Sequence, residues 1–215
     1  MTILAVSKKR SSVSMREAYA VGQRCFGESY LQEAIDKQAE LADLDIEWHF
    51  IGPIQSNKTR SIAENFAWVH SVDRFKVAQR LNNQRPSRLE PLKVCIQVNI
   101  DDEASKSGVR EQELPALARA LLALPHLRLT GLMAIPLPRS DYAQQLAAFQ
   151  RVAKLQTQLQ DFLGMPLTTL SMGMSSDLEA AIAAGSTLIR IGTDLFGPRN
   201  RANGLAPAYG LTNCD

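Results

Sequence analysis

The sequence has few cysteines, almost no net charge and no long apolar run, and each shortage excludes a class of protein. The 215 residues include only Cys25, Cys95 and Cys214, and these form no C-x-x-C pair. An odd, scattered set argues against a disulfide scaffold and a thiolate zinc site, so we predict no metal centre and a reducing cytoplasmic location. The formal net charge of +2, from 24 basic and 22 acidic side chains, gives no broad positive field for nucleic-acid binding.

The chain also lacks the sequence features of a membrane or exported protein. No stretch approaches the roughly 18 consecutive apolar residues of a membrane span, and the first residues lack the basic-then-apolar layout of a signal peptide. The length suits one α/β barrel at the small end of that fold's range. We therefore predict a single barrel domain over residues 1–200, present as a monomer or weak oligomer. Residues 201–215 contain Gly, Pro and Asn without periodicity, which predicts a poorly ordered tail.

What the sequence does contain is a repeat of eight short apolar runs, each ending in a polar or glycine-bearing cluster. Several runs are continuous rather than alternating, which is typical of parallel strands covered on both faces. Eight repeats of strand and helix predict a closed (β/α)8 barrel of the TIM type, with functional residues at the carboxyl ends of its strands. The predicted strands are Ile3 to Ser7, Cys25 to Gly27, Trp48 to Gly52, Trp68 to Val72, Lys93 to Ile100, Arg128 to Ile135, Thr169 to Met172 and Leu188 to Gly192.

Apolar residues between the strands follow helical spacing. One stripe steps by three or four residues from Tyr142 to Phe162, and a shorter stripe runs from Leu114 to Leu122. Such stripes predict helices that pack against the outside of the barrel. Pro125 is expected to end the second of these helices before the sixth strand.

Lys8 directly follows the first predicted strand, so its ammonium group is expected at the mouth of the barrel. Burial lowers the pKa of a lysine because it disfavours the charged form, and this is the condition for an amine that forms an imine with an aldehyde. Position alone leaves a second interpretation open. Many lysines at strand ends are solvated, and Lys9 and Arg10 follow immediately.

A second polar cluster follows the seventh predicted strand. Ser176 and Glu179 have capping-box spacing, which predicts a helix that begins near Asp177. The turn before it contains Gly173 and Ser175 and offers backbone N–H groups and a hydroxyl to an anion. In the alternative interpretation, the serines only cap the helix.

A third cluster follows the eighth predicted strand. Gly192 and Thr193 lie where the missing side chain of a glycine lets a ligand oxygen approach the backbone, in a loop that often binds phosphate in this fold. Arg190 lies two residues earlier, on the same side of the strand as Gly192. A buried arginine needs an acceptor, either a carboxylate from a neighbouring strand or a ring nitrogen of a ligand. Without a ligand, we expect a structural salt bridge.

Together, an amine, a phosphate cradle and an arginine describe a site for pyridoxal 5'-phosphate. The aldehyde would meet Lys8, the pyridine nitrogen Arg190, and the phosphate Ser175, Gly192 and Thr193. Because a guanidinium only donates hydrogen bonds, it keeps the pyridine nitrogen unprotonated and makes the ring a poor electron sink. Such a site holds the cofactor better than it drives carbanion chemistry.

The motifs also resemble a known family, in order, from about Ile3 to Arg199. The matching segments are AVSK (Ala5 to Lys8), FGESY (Phe26 to Tyr30), HFIGPIQSNK (His49 to Lys58), SKSG (Ser105 to Gly108), GLMAI (Gly131 to Ile135), SMGMSSD (Ser171 to Asp177) and RIGTDLFG (Arg190 to Gly197). They are similar to the pyridoxal phosphate homeostasis proteins, single-domain relatives of the alanine racemase barrel, which has fold type III among enzymes that use this cofactor. The resemblance implies a Schiff base on Lys8, a pyridine contact from Arg190, and the same three phosphate contacts.

Other matching residues are less decisive. Ser29 and Asn57 match positions near the cofactor, although Asn57 also fits as a helix cap. Lys106 matches a lysine at a secondary contact, but a solvated loop lysine is the simpler interpretation. His49 fits as a packed histidine, and no motif supports His70 or His126.

The chain departs from the family pattern in two places. The family usually has asparagine where this chain has Ser29, so one hydrogen bond is expected to be lost or bridged by water. The family also starts with a helix of about two dozen residues, whereas this sequence opens almost directly on the first strand. We expect the missing helix to leave apolar surface exposed near Lys8 and to lower stability, unless the tail or another subunit covers it.

Two kinds of function follow from these observations. The first is a carrier that buffers pyridoxal phosphate or delivers it to apo-enzymes that depend on it, with little or no catalysis. The second is an enzyme, either a racemase or decarboxylase of the same barrel type or a Schiff-base aldolase. A racemase of that type uses a second domain, and an aldolase needs a proton relay for which Glu28 is the near candidate. A pure partner-binding scaffold would not need these groups to converge.

Overall fold

A closed parallel barrel forms the centre of the computed structural model, which describes residues 1–103 and 107–197. Within these residues, eight strands pair in sequence order, and the eighth pairs with the first. Helices lie between the strands, so the predicted TIM-type barrel is confirmed. The predicted tail, residues 201–215, and Lys106 lie outside the described residues. The strands are β1 (Thr2–Val6), β2 (Cys25–Glu28), β3 (Glu47–Phe50), β4 (Trp68–Val72), β5 (Leu92–Val98), β6 (Leu127–Ala134), β7 (Thr169–Ser171) and β8 (Leu188–Ile191).

Side chains of each strand alternate between the barrel interior and the surrounding helices. In β1, Leu4 lies against Gly27 inside the barrel, whereas Ala5 packs outward in a cluster with Met15 and Leu41. Both faces are therefore buried, which explains why the strands appear in the sequence as continuous apolar runs.

Helices connect the strands, and the two helices predicted from apolar stripes are both present. Within the described residues they are α1 (Ser12–Ala20), α2 (Leu31–Glu40), α3 (Thr59–Asn65), α4 (Phe75–Gln84), α5 (Leu114–Leu122), α6 (Tyr142–Leu163), α7 (Leu178–Ala183) and α8 (Thr193–Phe196), with a 3-10 turn over Ser56–Lys58. No helix in this part of the chain combines the length and apolarity that a membrane span requires.

The longest helix, α6, shows how local sequence sets the element boundaries. Asp141 caps its start by accepting a hydrogen bond from the Gln144 backbone N–H at 2.9 Å, and Gly164 ends it in the left-handed conformation with φ of 67°. The middle of the predicted stripe is buried, but Tyr142 and Phe162 at its two ends are exposed. The stripe therefore predicts the helix correctly and overestimates how much of it packs on the barrel.

Candidate functional site

Lys8 lies at the carboxyl end of β1, as predicted, and it is half-buried. The Ser7 backbone N–H still bonds to the Gly27 carbonyl at 3.0 Å, and the Arg10 N–H bonds back to the Ser7 carbonyl at 3.0 Å. These bonds close a tight turn, in which Lys9 adopts a left-handed φ of 59°. The turn presents Lys8 at the mouth of the barrel.

A buried ion pair supports this turn from the helix side. The Lys37 ammonium donates to the Ser7 carbonyl at 2.7 Å and to Glu28 Oε1 at 2.8 Å, and the Ser7 hydroxyl donates to the same Glu28 oxygen at 2.7 Å. Burial raises the pKa of Glu28, and the bond from Lys37 opposes this shift. Because Glu28 alternates with Gly27, it faces the helices rather than the barrel interior. This placement does not provide the proton relay that an aldolase needs.

Arg190 lies inside the barrel on β8, only 4% exposed. Its Nη1 donates to the Ser171 carbonyl at 2.6 Å and the Ser171 hydroxyl at 2.9 Å, and its Nη2 donates to the Ala134 carbonyl at 3.0 Å. Burial lowers the pKa of Arg190 to about 10, so the guanidinium stays charged at neutral pH. These acceptors are neutral oxygens, so the expected structural salt bridge to a carboxylate is wrong.

The loop after β7 depends on a glycine. Gly173 has φ of 95°, and a Cβ there would lie 2.5 Å from the Cβ of Ala181. Its carbonyl accepts the Arg190 backbone N–H at 3.0 Å, which ties this loop to β8. Ser175, the predicted phosphate contact, lies half-buried in the turn that follows.

The predicted capping box at this loop does not form. Helix α7 begins at Leu178, close to the predicted start, but its N-cap Asp177 makes no side-chain cap bond. Instead, the Asp177 carboxylate accepts the Met174 backbone N–H at 2.7 Å. The predicted pairing of Ser176 with Glu179 is therefore wrong. The Asp177 side chain bonds back to Met174 in the preceding turn, and it does not cap the helix.

Gly192 and Thr193 lie at the same end of the barrel as Lys8. The register of β1 and β8 pairs Ala5 with Ile191, and a Cβ on Gly192 would lie 3.4 Å from the Val6 carbonyl oxygen. The first N–H groups of a helix lack intrahelical acceptors, and α8 begins at Thr193. The structure thus brings Gly192, and Thr193 that follows it, to the end of β1, two residues before Lys8.

The two remaining predicted residues lie at neighbouring strand ends. Ser29 follows β2 and is half-buried, and its carbonyl oxygen would lie 2.2 Å from a Cβ on Gly52, so the ends of β2 and β3 are in direct contact. Asn57 is exposed in the 3-10 turn. The alternative that Asn57 caps the next helix is wrong, because the N-cap of α3 is Lys58, without a side-chain bond.

A cavity of about 320 Å³ opens among the carboxyl ends of β3, β5 and β6. Some of its lining residues lie within the motifs quoted above, such as Ile51 in HFIGPIQSNK and Ile135 in GLMAI. None of them was predicted as a site residue, since most are ordinary apolar or amide side chains. A second cavity of about 500 Å³ lies at the opposite end, where Trp68, Lys93 and Arg128 begin their strands. Chemistry in this fold belongs to the carboxyl ends. The first cavity opens at that end, although Lys8, Arg190 and Gly192 do not line it. It is lined by Ile51, Pro53, Gln97, Val98, Asn99, Ser107 and Ile135.

The barrel interior also contains two histidines in contact. His49 Nδ1 lies 2.9 Å from His70 Nε2, and His70 Nδ1 lies 2.8 Å from the Ser171 hydroxyl. The sequence treated His49 as a packed residue and found no role for His70. Towards the amino-terminal ends of the strands, ligating atoms of Cys25, Glu47 and His49 lie within 4.8 Å of one another. The sequence predicted no metal centre because the cysteines are isolated, and it did not detect this group.

Comparisons with known proteins place the barrel in a family. The sequence profile "Alanine racemase, N-terminal domain" matches residues 2–200, which gives the class of domain. The "Pyridoxal phosphate homeostasis protein" of Pseudomonas aeruginosa is 63% identical over 198 residues, which cover 92% of this chain and 84% of that protein. The protein of the same name from Vibrio alginolyticus is 55% identical over 202 residues, covering 92% and 86%.

A solved structure agrees with these sequence relatives. PipY of Synechococcus elongatus, with PLP bound, is 43% identical and superimposes with a TM-score of 0.84 over 92% of each chain. The chain therefore belongs to the family of the pyridoxal phosphate homeostasis proteins, as its motifs predicted.

Proposed function

We propose that this chain binds pyridoxal 5'-phosphate through a Schiff base with Lys8 and buffers or delivers it within the cell. The observation that carries the proposal is the convergence of an amine, an open backbone cradle and a charged guanidinium at one end of the barrel. Lys8 follows the end of β1, Gly192 lies beside the same strand, and Arg190 is buried on β8, two residues before Gly192. The names of the relatives and the PLP-bound PipY support the same cofactor.

The residues present fit the chemical groups of this cofactor. Gly192 and Thr193 offer backbone N–H groups and a hydroxyl to a phosphate beside β1, and Ser175 offers a further hydroxyl in the loop after β7. Within the described residues, three of the five N–H donors of Arg190 are used by protein oxygens, which leaves donors for a ring nitrogen. The bound cofactor would supply an aldehyde, and the Lys8 amine would condense with it with loss of one water.

The arginine favours a carrier over an enzyme. A guanidinium that stays protonated gives no proton to the pyridine nitrogen, so the ring withdraws electrons weakly. Glu28, the candidate for a proton relay, is held by Ser7 and Lys37 on the outer face. We propose that catalysis, if any, is secondary to holding and releasing the cofactor.

Absorbance and mass spectrometry test the covalent link. Purified protein mixed with the cofactor should turn yellow, and borohydride reduction followed by peptide mapping should place the label on Lys8. Lys8→Ala should remove the colour and the label, whereas the adjacent and exposed Lys9→Ala should retain both. A reduced label on any other lysine, or none, would overturn the proposal.

Transfer to an acceptor tests delivery. An apo-transaminase is mixed with loaded protein in the presence of a phosphatase that destroys free cofactor, and recovered activity is compared with that from free cofactor. A carrier should protect the cofactor and restore more activity. Equal recovery from both sources would refute delivery, and rapid racemisation or decarboxylation of amino acids would favour the enzyme.

A further inference from the structure

A row of polar side chains crosses the barrel interior from Arg190 to the amino-terminal end of β3. The Ser171 hydroxyl lies 2.9 Å from Arg190 Nη1 and 2.8 Å from His70 Nδ1. His70 Nε2 lies 2.9 Å from His49 Nδ1, and His49 Nε2 lies 3.2 Å from Glu47 Oε1. The four residues other than Glu47 are at most 4% exposed, so these bonds are shielded from water.

The chemistry of the two ends fixes the direction of every bond between them. A guanidinium only donates and a carboxylate only accepts, while a neutral imidazole has one nitrogen of each kind. Arg190 therefore donates to Ser171, Ser171 to His70, His70 to His49, and His49 to Glu47. Both histidines must then carry their proton on Nε2. The opposite tautomers would leave an imidazole lone pair facing the Glu47 carboxylate.

The charge states of the row agree with this direction. Burial lowers the pKa of His49 and lowers that of His70 well below its ordinary value, so both rings are neutral. The bond from His49, supported by Lys93, lowers the pKa of Glu47 to about 2, so it is ionised. A cation and an anion thus stand at opposite ends of a neutral chain of donors, and such chains strengthen each bond through polarisation.

Donors already surround the Glu47 carboxylate. Its Oε2 accepts from the Lys93 ammonium at 3.1 Å, and the Cys25 thiol lies 3.8 Å from its Oε1. Burial, together with the nearby Glu47 charge, raises the pKa of the Cys25 thiol, which keeps it protonated. Both oxygens of the Glu47 carboxylate therefore have donors from the protein within hydrogen-bonding distance.

We propose that Ser171, His70, His49 and Glu47 are positioning residues, which hold the Arg190 guanidinium in one orientation through a one-way chain of hydrogen bonds. This inference rests on the proposed function in its consequence, because Arg190 is the residue assigned to the cofactor's ring nitrogen. The chain itself is a property of the protein alone. This chain of hydrogen bonds connects Arg190 to Glu47, at the amino-terminal end of β3.

Histidine tautomers test the chain without any cofactor. The sequence has three histidines, so long-range 1H–15N spectra of the labelled protein resolve each ring, with the partly exposed His126 as reference. His49 and His70 should both be neutral with the proton on Nε2. A proton on Nδ1 of either ring, or an imidazolium at neutral pH, would overturn the inference and leave the Lys8 assignment untouched.

Matched variants test the consequence for the site. Ser171→Ala and Glu47→Gln should retain the reduced label on Lys8 but raise the cofactor dissociation constant about tenfold, equivalent to about 1.4 kcal/mol. Ser186→Ala is the first control, because Ser186 is also buried but bonds only to backbone carbonyls of β7, β8 and the adjoining loop. Glu111→Gln is the second, because the Glu111 side chain is also paired and is 34% exposed, against 35% for Glu47.

The outcomes separate the two proposals. Both controls should bind within about twofold of wild type. If Ser171→Ala fails to fold, the cofactor affinity of Glu47→Gln tests the positioning role instead, because Glu47 lies at the partly exposed end of β3. Unchanged affinity in Glu47→Gln, or an equal loss in the controls, would refute the positioning role. Absence of label on Lys8 in the wild type would instead refute the proposed function.

Discussion

Replacing Lys37 by methionine tests how much the buried ion pair behind Lys8 contributes to stability. The side chain of Lys37 is 7% exposed and that of Glu28 is fully buried. Methionine preserves most of the aliphatic length but removes the ammonium, so Glu28 would retain only the hydroxyl of Ser7. Removal of one partner from a buried pair costs about 3–5 kcal/mol, because the other charge remains buried without compensation.

The loss should depend on pH, with a defined sign. Burial already raises the pKa of Glu28, and removal of Lys37 raises it further. A carboxyl whose pKa is raised in the folded state destabilises the protein above its unfolded pKa of about 4.3, and this penalty disappears as the folded carboxyl becomes protonated. The difference in unfolding free energy between wild type and Lys37→Met should therefore be larger at pH 8 than at pH 5.

Urea denaturation followed by circular dichroism measures this difference. At pH 8 the melting temperature should also fall by roughly 6–20 °C, from about 2–4 °C per kcal/mol for a chain of this size. Adding Glu28→Gln should recover part of the loss, since an amide carries no charge. Arg16→Met is the control, because its pair with Asp43 is exposed at 43% and 61%, and an exposed ion pair contributes little to stability. Equal losses in Lys37→Met and Arg16→Met would refute the reasoning.

Three further predictions follow from described residues. Because His49 and His70 are buried and neutral, the unfolded state binds more protons than the folded state below pH ~6.5, so stability should fall as the pH drops below this value. Urea titrations that give flat stability between pH 7 and 5 would contradict this. Gly173→Ala should destabilise by more than about 1 kcal/mol in thermal melts, because of its φ of 95° and the contact with Ala181. Cys95 is fully buried, with its pKa raised to about 12, so iodoacetamide should modify it only after unfolding; rapid labelling of the native protein would show that the barrel opens.

The strands were predictable because each one is buried on two sides. A run such as Leu92–Val98 needs apolar residues on both faces, and this requirement appears directly in the sequence. Lys8 and Gly192 were predictable for a related reason, since the fold gathers strand ends at one mouth. Their positions depend on chain order alone and not on side-chain packing.

The interior chain could not be predicted in the same way. His49 and His70 are 21 residues apart, and His70 and Ser171 are 101 apart. Alternation assigns each side chain to a face, but the register of barrel closure decides which side chains meet. The register of β4 and β5 also shifts between Val69 and Val72, which no local pattern reveals. For the same reason, the acceptors of Arg190 were wrongly expected to include a carboxylate.

The hydrogen bonds that hold Ser7 affect any ligand that binds to and leaves Lys8. The carbonyl and hydroxyl of Ser7 are both held from the far side of the strand. The backbone that carries the lysine is thus ordered once, when the chain folds, rather than at every encounter. A ligand that binds at Lys8 therefore meets a preorganised backbone, and its release does not require this backbone to change. Under the function proposed above, the free energy of cofactor binding and release then depends on the contacts that the cofactor makes, and not on ordering of the backbone at Lys8.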